Sequence, residues 1–291
     1  MGLIGSYCFS KMFLVVQEDG VPNIGAQFYA CSDEGLPQRL SLNSGRYRLR
    51  SVLKHDFFAA TALYEYVDGG GSQNSVPRKV ILKLSRQGRF LAVPTSWLGR
   101  FLCRHELSVY RELDGLAGVP KILSLYADIG FVYEYVEGCS LDEQPQLPDD
   151  FFDSLHSLVK QVHSRDVAYV DMNKRGNIIS GSDSRPYLID FQISLHLPGR
   201  LCACLRNALQ CADIYHLFKH KRKICPRLLT SEERILSYHK GFLISLHRCF
   251  ANPYKKLRRA MFRYLYQKGV LAIESGGRFS RENDNARFFK Q

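Results

Sequence analysis

The chain has 291 residues, of which 45% are hydrophobic, and a formal net charge of +12 from 40 Lys and Arg against 28 Asp and Glu. That apolar fraction is ample for a packed core and argues against a disordered chain, and no apolar run approaches the ~20 residues of a membrane-spanning helix. Nine scattered cysteines, an odd number with no secretory leader ahead of them, point to reduced thiols and a cytoplasmic setting, not a disulfide framework.

Residues 1–46 show weak periodicity and repeated Gly, Asn and Asp breaks, which predicts an irregular or β-rich extension. Its start, Met-Gly-Leu-Ile-Gly-Ser, loosely fits an N-myristoylation pattern at Gly2, with Cys8 as a second acylation point. Residues 47–136 read as mainly β with one helix. Val52 and Leu53 lead into Lys54, Asp56, Phe58 and Ala59, and a strand follows over residues 61–66, before a Gly turn at 69–71. Lys83 sits in an alternating apolar strand over residues 80–86. Leu107, Tyr110 and Leu113 then recur at helical spacing, so that Glu106 projects from a helix able to pair it with Lys83. Glu112 is the competing partner, placed late in that helix. Another strand runs into residues 130–138.

Residues 145–150 mark the entry to a helical region, where Asp149 or Asp150 is placed to cap a helix with Leu155, Leu158, Val159 and Val162 as its buried stripe. A short strand over residues 167–170 leads to Asp171. A hairpin with its tip at residues 181–186 joins the run holding Asp171, Lys174 and Asn177 to the run delivering Asp190 and Phe191. From Asp213 the pattern is helical almost to Ala272, with breaks at Pro226 and Pro253, and from Gly276 onward a loose tail is expected. Cys202, Cys204 and Cys211 lie near His216 and His220, but their spacing matches no paired-cysteine zinc pattern.

Asp171, Asn177 and Asp190 are the residue types that metal-assisted phosphoryl transfer requires. The moving phosphoryl keeps its charge on oxygens that need metal and cationic partners, so two oxygen ligands for magnesium and one carboxylate facing an acceptor hydroxyl suffice.

With Lys83, Glu106, the segment at 130–138, Asp171, Asn177 and Asp190 in that order, the chain resembles the protein-kinase-like superfamily over about residues 47–213. It is most similar in outline to the atypical Ser/Thr protein kinases and the lipopolysaccharide sugar kinases. The resemblance implies an α+β, two-lobed fold: a small mainly β N-lobe with one helix (47–136) and a larger helical C-lobe (137–275), flanked by the extension (1–46) and the tail (276–291). It implies ATP and Mg as cofactors. Lys83, held by Glu106, would contact the α and β phosphates, and Lys54 and Phe58 would border them. The backbone of Glu134 to Val136 would hold adenine with Tyr133 behind it. Asn177 and Asp190 would hold magnesium, Asp171 would face the acceptor hydroxyl, and Lys174 would steady the γ-phosphate.

Several positions depart from the superfamily pattern. Tyr169-Val170 replace His-Arg, one extra residue separates Asp171 from Asn177, and Gln192 replaces Gly after Phe191. Lys54, Asp56 and Ala59 occupy the three glycine positions of the phosphate loop, where bare backbone normally closes on the anion. Arg165-Asp166 mimics the catalytic Arg-Asp, but no Asn follows at the right distance. If Asp213 anchors the base of the catalytic loop, only twenty-three positions (213 − 190) separate it from Asp190, which implies constitutive activity without loop phosphorylation.

The acceptor implied is a hydroxyl on a protein Ser/Thr or a lipopolysaccharide-type sugar. The basic runs at 219–223 and 255–259, and the zone at 86–104 that mixes Arg with Phe, Leu and Trp97, suit an acidic glycolipid or peripheral contact at the inner face of an anionic membrane. The same runs also suit solvated helix faces. A pseudokinase that binds nucleotide or a partner without turnover is the alternative raised by the glycine-free loop. Nucleic-acid binding lacks a recognised module.

Overall fold

The computed structural model describes residues 12–13, 30, 36–43, 45–55, 58–68, 76–87, 89–90, 93–143, 146–238 and 272–273. The calls on Gly2, Cys8, Asp56, the 69–71 turn, the 255–259 run and the 276–291 tail lie outside these residues.

In chain order the first elements are β1 (Met12–Phe13), β2 (Arg39–Leu42), β3 (Gly45–His55), β4 (Ala59–Asp68), β5 (Lys79–Ser85), β6 (Arg89–Phe90) and β7 (Val93–Pro94). Helix α1 (Ser96–Glu112), β8 (Ile122–Tyr126), β9 (Gly130–Glu134), β10 (Gly138–Ser140) and helix α2 (Phe151–Ser164) follow. Then come β11 (Val167–Ala168), β12 (Ile178–Gly181), β13 (Pro186–Leu188), β14 (Leu195–His196), α3 (Ala203–Ile224), α4 (Ser231–Tyr238) and β15 (Ala272–Ile273). The fold is α+β, with an antiparallel sheet early in the chain and helices concentrated later.

Six strands form the sheet, in the order β2-β3-β4-β5-β9-β8. It takes in Arg39–Leu42 and begins β3 at Gly45, ahead of the 46/47 boundary read from sequence, because Leu40 pairs with Tyr47 and both are buried. Strand β5 lies in the interior of the sheet between β4 and β9, and its Val-Ile-Leu-Lys-Leu-Ser run is buried on both faces. The two-residue alternation of a strand sends Val80, Leu82 and Leu84 to one face, where they meet Tyr47, Tyr64 and Val132. It sends Ile81 and Lys83 to the other face, where Ile81 joins the main core with α1, α2 and α3.

Helix α1 begins just after Pro94 and buries Cys103, Glu106, Leu107 and Tyr110. Helix α2 buries the expected stripe of Leu155, Leu158, Val159 and Val162. Its cap differs from expectation. Asp150 occupies the cap position, but its φ/ψ of −88°/1° is not the extended geometry that aims a side-chain oxygen at the first amides, and no side-chain cap bond forms. Its backbone carbonyl accepts from Asp153 and Ser154 instead. The expected hairpin is present as β12 and β13, with Ile178 opposite Leu188 and Ile179 opposite Tyr187. Strand β10 extends it to three strands. Helix α3 starts ten residues before Asp213 and ends ahead of Pro226, where a 3-10 turn intervenes before α4. No helix among the described residues is long and apolar enough to cross a membrane.

Candidate active site

The sheet delivers the central cation. Lys83 Nζ donates to Glu106 Oε1 at 2.8 Å and to Asp190 Oδ1 at 2.7 Å, bringing together β5, α1 and the segment after β13. Lys83 and Glu106 are almost fully buried. Burial alone opposes charge on both Lys83 and Asp190, but their mutual attraction outweighs it: Lys83 is held above the usual lysine range, and Asp190 well below the usual carboxylate range. Glu112, the competing partner, is the exposed last residue of α1 and lies 3.8 Å from His196.

A second cluster forms on the approach to the hairpin. Asp171 Oδ2 accepts from Lys174 Nζ at 2.6 Å and from Asn177 Nδ2 at 2.8 Å. Burial pushes the Asp171 carboxyl above its ordinary value, against the pull of Lys174. Because its nitrogen is committed to Asp171, the Asn177 amide oxygen is the atom it would offer to a cation. The Asn177 amide and the Asp190 carboxylate are both hard oxygen donors, the type that magnesium would take. Among the described residues no group of three or more His, Cys, Asp or Glu side chains is placed to hold a metal, the Cys202, Cys204, Cys211 neighbourhood included.

Buried groups fix the backbone under these side chains. Asp213, fully buried on α3, accepts the Tyr169 N–H at Oδ2 and the Val170 N–H at Oδ1, both at 2.8 Å, and the His163 Nε2–H at 3.1 Å. Val170 and Asp190 have φ of 66° and 62°, a region that non-glycine residues avoid and that the surrounding bonds hold in place here. The Tyr169 hydroxyl donates to the Ile189 carbonyl, and Ser194 Oγ donates to the Tyr169 carbonyl. The Tyr169 ring packs edge-on against Phe191 at 5.1 Å, and Phe191 packs against Tyr110 of α1 at 5.0 Å. Sequence reasoning missed this column of rings. The signal available was Tyr169 itself, an aromatic standing where the resemblance has His.

The remaining predicted residues fall around this centre. Lys54, expected at the phosphates, lies on β3 with its ammonium 3.6 Å from Asp190 Oδ2. Phe58 is half exposed beyond the end of β3, and its carbonyl accepts the Arg86 N–H. Glu134 ends β9, paired with Val80, and among the described residues no backbone hydrogen bond engages Val136. Tyr133 is buried and stacks on Tyr110 at 6.2 Å. Arg165 Nη1 donates to the carbonyls of Glu112 and Asp114, and Asp166 pairs with Arg206, so the Arg-Asp decoy secures the end of α1 and the start of α3. A cavity of about 290 Å³ between the end of α1 and β8, lined by Leu107, Arg111, Val119 and Leu125, contains none of the predicted site residues.

No protein-family model matches the chain, and no curated protein matches its sequence.

Proposed function

We propose that the chain is a two-lobed, protein-kinase-like phosphotransferase that moves the γ-phosphate of ATP to a hydroxyl acceptor, on a protein or a lipopolysaccharide-type sugar. The observation that carries this reading is a buried lysine held between two carboxylates, one from α1 and one from the segment just after the hairpin. A stability role alone is a poor reason for such an arrangement, since buried ion pairs repay little of their desolvation cost.

In this reading Lys83, oriented by Glu106, binds the α and β phosphates, and the backbone near Val136 receives adenine. Asn177 and Asp190 are the residues that would hold magnesium, which supplies charge neutralisation between the phosphates. Asp171 accepts the proton of the acceptor hydroxyl, and its raised proton affinity suits that role. Lys174, already on Asp171, can turn to the transferring phosphoryl oxygens. The short connection from Asp190 to α3 and the direct contact of His105 Nε2 with the Ser194 carbonyl at 2.8 Å support a helix α1 held in place without loop phosphorylation.

The test is γ-phosphate transfer from labelled ATP, offered to protein extract and to envelope glycolipid in parallel, with Asp171→Asn as control. Transfer that persists in the control removes Asp171 from its role. One observation favours the pseudokinase reading: Lys54 and Lys83 both engage Asp190, so a metal must compete with two cations for that carboxylate. Nucleotide binding without any transfer would select it.

A further inference from the structure

Helix α1 turns one face to the core and leaves two aromatic side chains in water on the other. Trp97 and Phe101, one turn apart, are 64% and 62% exposed. Phe101 stacks on His105 at 6.4 Å, yet both Trp97 and Phe101 leave most of their apolar surface exposed. Arg100, Arg104 and Arg111 are also exposed on this helix. Its first turn has no acidic residue, and its two glutamates are the buried Glu106 and the terminal Glu112. On its outer side Arg100 pairs with Asp128 at 2.7 Å.

The backbone that presents these residues is anchored to the sheet. Arg86, fully buried at the end of β5, donates from Nε to Thr95 Oγ1 at 2.6 Å. The Thr95 carbonyl accepts the Leu98 and Gly99 amides of the first turn. Gly99 lies so close to the Arg86 backbone that a Cβ there would sit 1.9 Å from its carbonyl oxygen. The start of α1 is thus pressed onto the sheet, and little backbone ordering entropy remains to be lost when Trp97 and Phe101 find a partner.

We propose that this face docks on an anionic phospholipid bilayer, with Trp97 and Phe101 entering the boundary between headgroups and acyl chains and the arginines meeting lipid phosphates. Aromatic residues flanked by arginine on a convex helix face suit an interfacial plane, and the net charge of +12 draws the molecule to a negative surface. The inference does not depend on the phosphotransferase reading. Glu106 leaves the helix on its buried face, so docking keeps the Lys83 pair intact.

Trp97 is the single tryptophan of the chain, so its emission reports directly on this face. The full-length protein is mixed with vesicles of phosphatidylserine and phosphatidylcholine in equal parts, and separately with phosphatidylcholine alone. The expected result is a blue shift and loss of acrylamide quenching with the anionic vesicles only, reversed by added salt. Phe101→Ser combined with Arg104→Glu is expected to weaken vesicle binding by about tenfold or more. Unchanged Trp97 emission overturns the proposal, whether or not vesicles capture the protein, because capture would then run through other basic segments. A shift that grows with protein concentration in the absence of lipid overturns it in favour of a second copy on this face. Equal binding by the double variant overturns it as well.

Discussion

Lys83 Nζ and Asp190 Oδ1 meet at 2.7 Å across 107 positions of sequence. The contact ties the sheet to the hairpin, and Glu106 completes it from α1. Lys83→Met keeps most of the side-chain volume but leaves two carboxylates facing each other, with the partly exposed Lys54, 3.6 Å from Asp190, as the remaining cation. The variant is expected to lose about 3 kcal/mol of stability near neutral pH. Protonation of either carboxylate relieves the repulsion, so urea melts should show the deficit shrinking as pH is lowered. A deficit independent of pH would argue against paired charges. ATP binding should be lost in the same variant.

The Asp171 and Asp190 carboxyls are shifted in opposite directions from the ordinary aspartate value. Burial raises the Asp171 carboxyl, so the acid limb of the transfer rate should lie above the ordinary aspartate range. Because the folded state takes up that proton more readily than the unfolded chain, Asp171 stabilises the fold less as pH rises through its folded pKa. Asp171→Asn is therefore expected to match or exceed the parent in stability at neutral pH while transfer falls by about 10²–10⁴-fold. Asp190 is depressed, so its stabilising contribution is present above the usual carboxylate pKa and is lost only in strong acid, as pH falls through the folded value. Paired pH–rate and pH–stability profiles check both signs.

Asp213→Ala leaves the buried amides of Tyr169 and Val170 without an acceptor. An unsatisfied buried N–H costs about 1–3 kcal/mol, so a loss of about 3 kcal/mol is expected by chemical denaturation. Asp213→Asn retains one acceptor oxygen and should recover part of it. Equal losses in the two variants would mean that packing, not hydrogen bonding, sets the cost.

Asp166→Asn separates the decoy from the proposed catalytic Asp. Asp166 meets Arg206 at a partly exposed ion pair, worth at most about 1 kcal/mol, so transfer should survive its loss. Abolished transfer in Asp166→Asn with normal folding would reverse the assignment.

The legible parts of this molecule are those written in local period and order. The alternation in Val-Ile-Leu-Lys-Leu places Lys83 on the α1 face of β5, helical spacing places Glu106 on the inner side of α1, and the turn-rich tip predicts the β12–β13 hairpin. Asp213 was readable only through the resemblance, yet its two amide bonds are what the fold supplies at that point. Contacts between distant residues of ordinary type left no trace in the sequence. Neither the bond from Tyr169 to Ile189 nor the grip of Arg165 on the end of α1 has a periodic or spacing signature. The cap at Asp150 failed for a different reason: residue type signals a capping side chain, but backbone torsions decide whether it reaches the amides.

The tip between β12 and β13 closes on itself: the Asp183 carboxylate takes the Arg185 N–H and the Tyr187 hydroxyl. Strand β12 sets that turn roughly 13 Å, four residues of strand rise, from Asn177. It therefore offers an engineering handle, a place to splice an affinity tag or tether a dye while Asn177 and Asp190 keep their mutual alignment.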